Sequence, residues 1–235
     1  MLKLSVNLLT INDKFFMKVA AIIPAYNEEP TIGAVVRAVK ENQLIDEIIV
    51  VDDGSVDDTY RIAQEAEARV IKIESNQGKA SAMKRGVEET DASVFLFLDA
   101  DLLGLTPQNL THLIEPVITG ELDLSIGTVD RRNLKKYIRW FVQKSDTPVA
   151  GQRVLKRELW DMVPEKYKKG YYIESAISLV AREKSLRVRT IVLEGVTHVL
   201  KERKYGFWFG MKERIKMFRQ IISINLRLRY HYPGR

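Results

Sequence analysis

Four short apolar runs, each broken off by a polar cluster, constrain this chain more than any other feature. Val19 to Ile23 ends at Pro24, and Glu47 to Val51 ends at Asp52-Asp53-Gly54-Ser55. Val70 to Ile73 leads into Asn76-Gln77-Gly78-Lys79, and Val94 to Leu98 ends at Asp99-Ala100-Asp101. Val19 to Ile23 and Glu47 to Val51 read as buried strands, and Val70 to Ile73 and Val94 to Leu98 as a third and a fourth strand. Helical patterns separate them. Glu28 to Val39 carries Ile32, Val35, Val36 and Val39 at helical spacing, with Pro30 early enough to be tolerated. Asp57 or Asp58 can cap a helix to about Ala68, and Lys79 to Thr90 reads as a third helix. Strand and helix in alternation predict an α/β fold built on a parallel sheet with right-handed crossovers. Ligands bind such sheets outside the carboxyl ends of the strands, which is where the four polar clusters fall.

The second half is less regular. Leu122 to Ile126 reads as a strand, and Leu134 to Val142 as a helix or loop rich in Lys and Arg. Arg153 to Met162 and Glu174 to Arg182 read as helices, Leu186 to Leu193 as a strand, and Phe207 onward as a long helix. Charge divides the chain in the same way. Residues 1–130 hold 11 Lys+Arg against 22 Asp+Glu, and residues 131–235 hold 26 against 9. An acidic half and a basic half suggest two tasks, since basic surface attracts phosphate. The organisation expected is an N-terminal extension over 1–16, with Met17 as a candidate start, a catalytic domain over 17–200 and a basic segment over 201–235. With 46% hydrophobic residues, a disordered chain is excluded. No cysteine is present, so thiol chemistry and disulfides are excluded. No apolar run approaches a bilayer span, and no signal-peptide pattern opens the chain.

The clusters carry recognisable chemistry. Asp99 and Asp101, one residue apart after a buried strand, can share an ion or its water, and hard oxygen ligands suit Mg2+ or Mn2+. A helix cap plus a solvated Asp would use the same letters. Asp53 at a strand end can accept hydrogen bonds from a base or ribose, although Asp-Gly is also a turn signal. Tyr26 offers a ring to a base, with Glu28 close by. Gly78 and Lys79 put flexible backbone and a cation at a helix start, which suits phosphate.

In this order the segments IIPAYNEE, IIVVDDGSVDDT, NQGKASAMKRGV and VFLFLDADL resemble the nucleotide-sugar-binding half of family 2 glycosyltransferases of the GT-A fold. The resemblance implies a Rossmann-like nucleotide-binding half with a mixed central sheet, a UDP- or GDP-sugar donor and a divalent metal. It implies that Pro24, Ala25, Tyr26, Glu28 and Asp53 hold base and ribose, that Gly78 and Lys79 lie near the nucleotide, and that Asp99 and Asp101 form the metal motif. Ala150-Gly151-Gln152-Arg153 resembles the turn and helix below the sugar site, which adds Arg153 to the donor residues. Tyr171 to Ser175 resembles the segment with an acidic residue near the acceptor, so Glu174 and Asp101 are the expected catalytic carboxylates. Glu174 would be the base, or would orient the acceptor hydroxyl, if transfer inverts. Val196-Thr197-His198 resembles the late histidine ligand of glucosyl-3-phosphoglycerate synthase-like enzymes. Dolichol-phosphate mannosyltransferase-like enzymes share the first half but commonly read DADLQHP where this chain has DADLLGLTP, which leaves room for His198 as third ligand.

Trp208, Met211, Ile215, Phe218 and Ile222 form one helical stripe with Lys212, Lys216 and Arg219 beside it. Such a stripe packs on the core, in a homodimer interface, or on an anionic membrane. The reading that accounts for all clusters is metal-dependent sugar transfer to a phosphate-bearing or lipid-linked acceptor, in the cytoplasm or at the inner face of a membrane. A sugar nucleotidyltransferase would want a Gly-rich loop after the first strand, and Pro24 to Glu29 has no glycine. A nucleic-acid-binding module, or a scaffold that binds nucleotide without turnover, would leave the acidic strand ends without use.

Overall fold

The computed structural model describes residues 17–129, 151–168, 170 and 172–198. The expected extension over 1–16, the segment Leu134 to Val142 and the basic segment over 201–235 lie outside the described residues. Strand β1 (Val19–Ala25) is followed by α1 (Ile32–Lys40), β2 (Glu47–Asp52), α2 (Thr59–Glu65), β3 (Arg69–Lys72), α3 (Lys79–Glu88) and β4 (Val94–Phe97). Then come β5 (Leu102–Leu103), α4 (Pro107–Ile118), β6 (Leu124–Val129), β7 (Gln152–Lys156) and α5 (Arg157–Met162). A short 3₁₀ turn (Glu165–Tyr167) precedes α6 (Tyr172–Glu183), β8 (Val188–Leu193) and β9 (Thr197–His198).

Seven strands form one sheet in the order β3-β2-β1-β4-β7-β6-β8, and β5 and β9 form a separate antiparallel pair. Strands β3, β2, β1 and β4 are parallel, as the sequence predicts. The sheet is mixed because β7 runs against both neighbours, while β6 and β8 are parallel to each other. Side chains along β1 alternate between faces. Val19, Ala21, Ile23 and Ala25 pack with α1 and α4 on one face. Ala20 and Ile22 pack with Met83 of α3 and Ile177 of α6 on the other. Both faces of β1 and β4 are covered, which is why they read as continuous apolar runs, whereas the edge strand β3 leaves Arg69 and Lys72 exposed.

Three elements differ from expectation. The first helix starts at Ile32 rather than Glu28. Residues before it form a turn in which Glu28 O accepts from Thr31 N and Ile32 N, and Glu28 N is committed to Thr59 Oγ1 at 2.7 Å. The segment expected as one helix from Arg153 divides into β7 and α5. Residues 152–155 are buried and hydrogen-bonded to strands on both sides, so sheet pairing overrides the helical spacing. Helix α4 was not expected at all, yet its start is well marked. Thr106 and Asn109 form a reciprocal capping box with Pro107 at the first helical position, and Leu110, Leu113, Ile114 and Val117 face the core.

Gly86 is where α3 meets β1 and β2. A Cβ there would overlap the Ile22 methyl and press on Val51, both fully buried. Gly86→Ala gains about 1 kcal/mol in helix propensity, but overpacking a tight core costs ~1–3 kcal/mol. We expect net destabilisation, read as a lower urea midpoint with an unchanged m-value; a more stable variant would show that α3 can move off the sheet.

Candidate active site

The carboxyl ends of β1 and β2 are laced together before any ligand is considered. Asp53 N donates to Ala25 O at 2.8 Å, Asn27 N to Ser55 Oγ at 2.9 Å, and Val56 N to Asn27 Oδ1 at 3.0 Å. Asn27 takes up a left-handed conformation, φ 53°, which turns the chain sharply after Tyr26. Pro24 and Ala25 close β1, and Tyr26 is 38% exposed above them. Asp53 is only 3% exposed. Its Oδ1 accepts from Gln77 N at 2.8 Å and its Oδ2 from Gly78 N at 2.7 Å. The carboxylate therefore fixes the loop that opens α3, and any contact with a base would use its remaining lone pairs. Burial pushes the Asp53 carboxyl upward, the two N–H donors pull it back, and Asp52 adds to the rise. Gly54, φ 77°, is required here, because a Cβ would meet the main chain of Ser75 and Asn76 at 2.9 Å.

Gly78, φ 93°, faces open space at the start of α3, and Lys79 is the first residue of that helix. Lys79 Nζ donates to Asp99 Oδ1 and Glu174 Oε1, each at 2.5 Å. Burial disfavours its charge, but the two carboxylates outweigh this and hold the ammonium above its usual range. Glu174 is brought in by the first turn of α6, and Glu28 stands with the first group of residues at the end of β1. Asp99 follows β4, and its other oxygen accepts from Gln152 Nε2 at 2.8 Å. Gly151 lies so close that a Cβ there would overlap the Asp99 carboxylate. Arg153 is 1% exposed, and its Nη1 donates to Ser178 Oγ at 2.7 Å. Burial lowers its pKa, while Glu174 and then Asp99 raise it, so its positive charge faces the same two carboxylates as Lys79.

The β5–β9 pair delivers the last residue. Leu102 pairs with His198, which sets the imidazole beside the carboxylate one residue earlier. His198 Nδ1 lies 3.0 Å from Asp101 Oδ1. Burial lowers the His198 pKa, but the Asp101 hydrogen bond and the charges of Asp99 and Asp101 carry it above the usual value. Asp99, Asp101 and His198 each offer one ligand atom within 4.8 Å of the others, and all three are part-exposed. Two carboxylates and an imidazole at one accessible point fit a divalent ion, and the nitrogen favours Mn2+ over Mg2+.

The expected site residues thus fall into two adjoining groups. Pro24, Ala25, Tyr26, Glu28, Asp53 and Gly78 surround the ends of β1 and β2. Lys79, Asp99, Asp101, Arg153, Glu174 and His198 surround the end of β4. Gly151 and Gln152 belong to the second group; the resemblance places them in the turn below the sugar site without a role of their own, and only the folded contacts show that they reach Asp99. Among the described residues no helix is long and apolar enough to cross a membrane.

The sequence model described as glycosyl transferase family 2 matches residues 20–176. Glucosyl-3-phosphoglycerate synthase of Mycobacterium tuberculosis (strain H37Rv) is 35% identical over 126 residues, which is 50% of this chain and 39% of the relative. Dolichol-phosphate mannosyltransferase of Pyrococcus furiosus is 37% identical over 118 residues, 48% of this chain and 33% of that enzyme. The match therefore spans well under half the length of these curated relatives. A crystal structure of the M. tuberculosis synthase with Mn2+, UDP-glucose and phosphoglyceric acid superposes with a TM-score of 0.73 at 26% identity, over 91% of this chain and 80% of that one.

Gly151→Ala tests whether the close approach to Asp99 matters. A methyl group there forces the carboxylate off its position without altering any charge. The expected outcome is an unchanged circular dichroism spectrum together with loss of any Mn2+-dependent rise in melting temperature. Retention of that rise would show that Asp99 can be displaced without consequence.

Proposed function

The chain belongs to glycosyl transferase family 2, and from that premise we propose that it transfers a hexose from a nucleoside diphosphate sugar to a phosphate-bearing acceptor. The observation that carries this reading is the convergence of Asp99, Asp101 and His198 beside Lys79 and Glu174, next to the laced ends of β1 and β2. The mycobacterial synthase, crystallised with UDP-glucose and Mn2+, supports a uridine-linked donor and Mn2+ here. A divalent ion in this site would neutralise charge on the departing diphosphate.

The chain's own residues do the rest. Tyr26 presents a ring to the base, and Asp53 holds the Gln77-Gly78 loop on which the nucleotide rests. The open face at Gly78, at the start of α3, leaves room for phosphate oxygens beside Lys79. Lys79 supplies a fixed positive charge between the metal ligands and Glu174. The acceptor hydroxyl oxygen attacks the anomeric carbon as its bond to the diphosphate breaks. If transfer inverts, Glu174 takes the proton of that hydroxyl or orients it. Arg153, buried below, keeps the two carboxylates from repelling each other.

Names among the relatives point to two forms of acceptor phosphate, a soluble phosphoglycerate and a polyprenyl phosphate. Read as one helix, the spacing of Trp208, Met211, Ile215, Phe218 and Ile222 with Lys212, Lys216 and Arg219 beside it would suit the lipid-linked form at the inner face of a membrane.

The function is tested by incubating the full chain with a panel of UDP- and GDP-sugars and 3-phosphoglycerate or polyprenyl phosphate. Release of nucleoside diphosphate should require acceptor, stop in EDTA and return with Mn2+; full activity in excess chelator would reject the metal role. Glu174→Gln should lower kcat by ~10²–10⁴ if the carboxylate removes a proton, and near-normal turnover would take that role away from it. For the membrane contact, intact protein should co-sediment with anionic liposomes at low salt and dissociate as salt rises. The Lys212/Lys216/Arg219→Glu variant should stay in the supernatant, and equal binding by both proteins would exclude an electrostatic contact.

A further inference from the structure

Gln152 is 1% exposed, an amide in a strand whose Val154 and Leu155 are fully buried and apolar. It opens β7, between β4 and β6, and faces Gly127, where a Cβ would press on the Gln152 Cβ at 3.0 Å. Its Nε2 donates to Asp99 Oδ2 at 2.8 Å. Its Oε1 is buried and has no hydrogen-bond partner among the described residues. A buried carbonyl oxygen without a partner lowers stability, so packing does not account for an amide at this position. Donation to Asp99 does. Lys79 engages Oδ1, and Gln152 engages Oδ2. A second donor on Oδ2, carried by a strand paired on both edges, fixes the plane of the group.

We propose that Gln152 is a positioning residue that locks the Asp99 carboxylate in the orientation needed to ligate a divalent cation. The inference rests on the metal role given to Asp99 above. Groups that orient a metal ligand from behind affect affinity strongly because they remove alternative ligand rotamers before the ion arrives. Gly151 and Gln152 act together in this respect. The glycine lets the main chain of the β7 entry approach Asp99, and the glutamine then reaches its far oxygen.

The test uses two variants, Gln152→Met and Gln152→Leu, which remove the donor while keeping an apolar side chain of similar bulk. MnCl2 is titrated calorimetrically into the full chain in the presence of excess UDP. UDP is titrated separately in EDTA, and thermal unfolding is recorded for each protein. The expected result is a Kd for Mn2+ raised about 10–100-fold, an unchanged Kd for UDP in EDTA, and melting temperatures at or above wild type because the orphaned oxygen is gone. Unchanged Mn2+ affinity in both variants overturns the proposal. Lower melting temperatures with parallel loss of UDP affinity also overturn it, by making Gln152 a packing residue. Wild-type protein that binds UDP but gives no Mn2+ signal overturns the metal reading itself, and that failure is visible without either variant.

Discussion

The Asp99 carboxylate is the point on which the other elements converge. Lys79 holds one oxygen, Gln152 the other, and Gly151 leaves room for both approaches. These contacts join α3, β4 and β7, and the Lys79 bridge to Glu174 adds α6. Charges removed from water are tolerated only when paired, and removal of one partner costs more than the pair gains. Here Lys79 and Arg153 face Asp99 and Glu174, so neither the two cations nor the two anions stand alone. The junction is consequently a constraint on the fold as well as a site.

One reversed strand makes this junction possible. In a wholly parallel sheet only carboxyl ends meet the ligand edge. In the antiparallel pair of β4 and β7, Phe97 stands opposite Arg153, so the entry to β7 arrives where β4 ends. That geometry brings Arg153, and with it Gln152 and Gly151 just before, to the end of β4. Side-chain alternation then sends Gln152 to one face of the sheet and Arg153 to the other. The separate β5–β9 pair performs a similar service for His198, with Gly104, φ 74°, packed against the Gly195 carbonyl to bring the two segments together.

Much of the parallel half was legible because β1 and β4 are buried on both faces. Val19 to Ile23 and Val94 to Leu98 have no polar positions, so their ends stand out, and those ends carry the chemistry. Helix α4 was equally legible in principle, since Thr106-Pro107 with Asn109 and an apolar stripe spells out its start. The segment from Arg153 was not. Leu155 and Leu159 sit four apart as in a helix, while Val154 and Leu155 are in fact consecutive residues of a central strand. Local spacing cannot distinguish these when the deciding partners, β4 and β6, lie tens of residues away.

The sequence by itself determined the parallel half of the sheet, the acidic ends of its strands and the family to which they point. Those features are written in contiguous residues, because a doubly buried strand and the turn after it are local patterns. Tertiary structure alone decided that Asp53 spends both oxygens on the loop before α3, that Lys79 bridges Asp99 to Glu174, and that Gln152 braces Asp99 from behind. Each of those contacts joins residues 20 or more positions apart. Which donor meets which carboxylate depends on strand order and direction, and these are settled only when both faces of the sheet are covered.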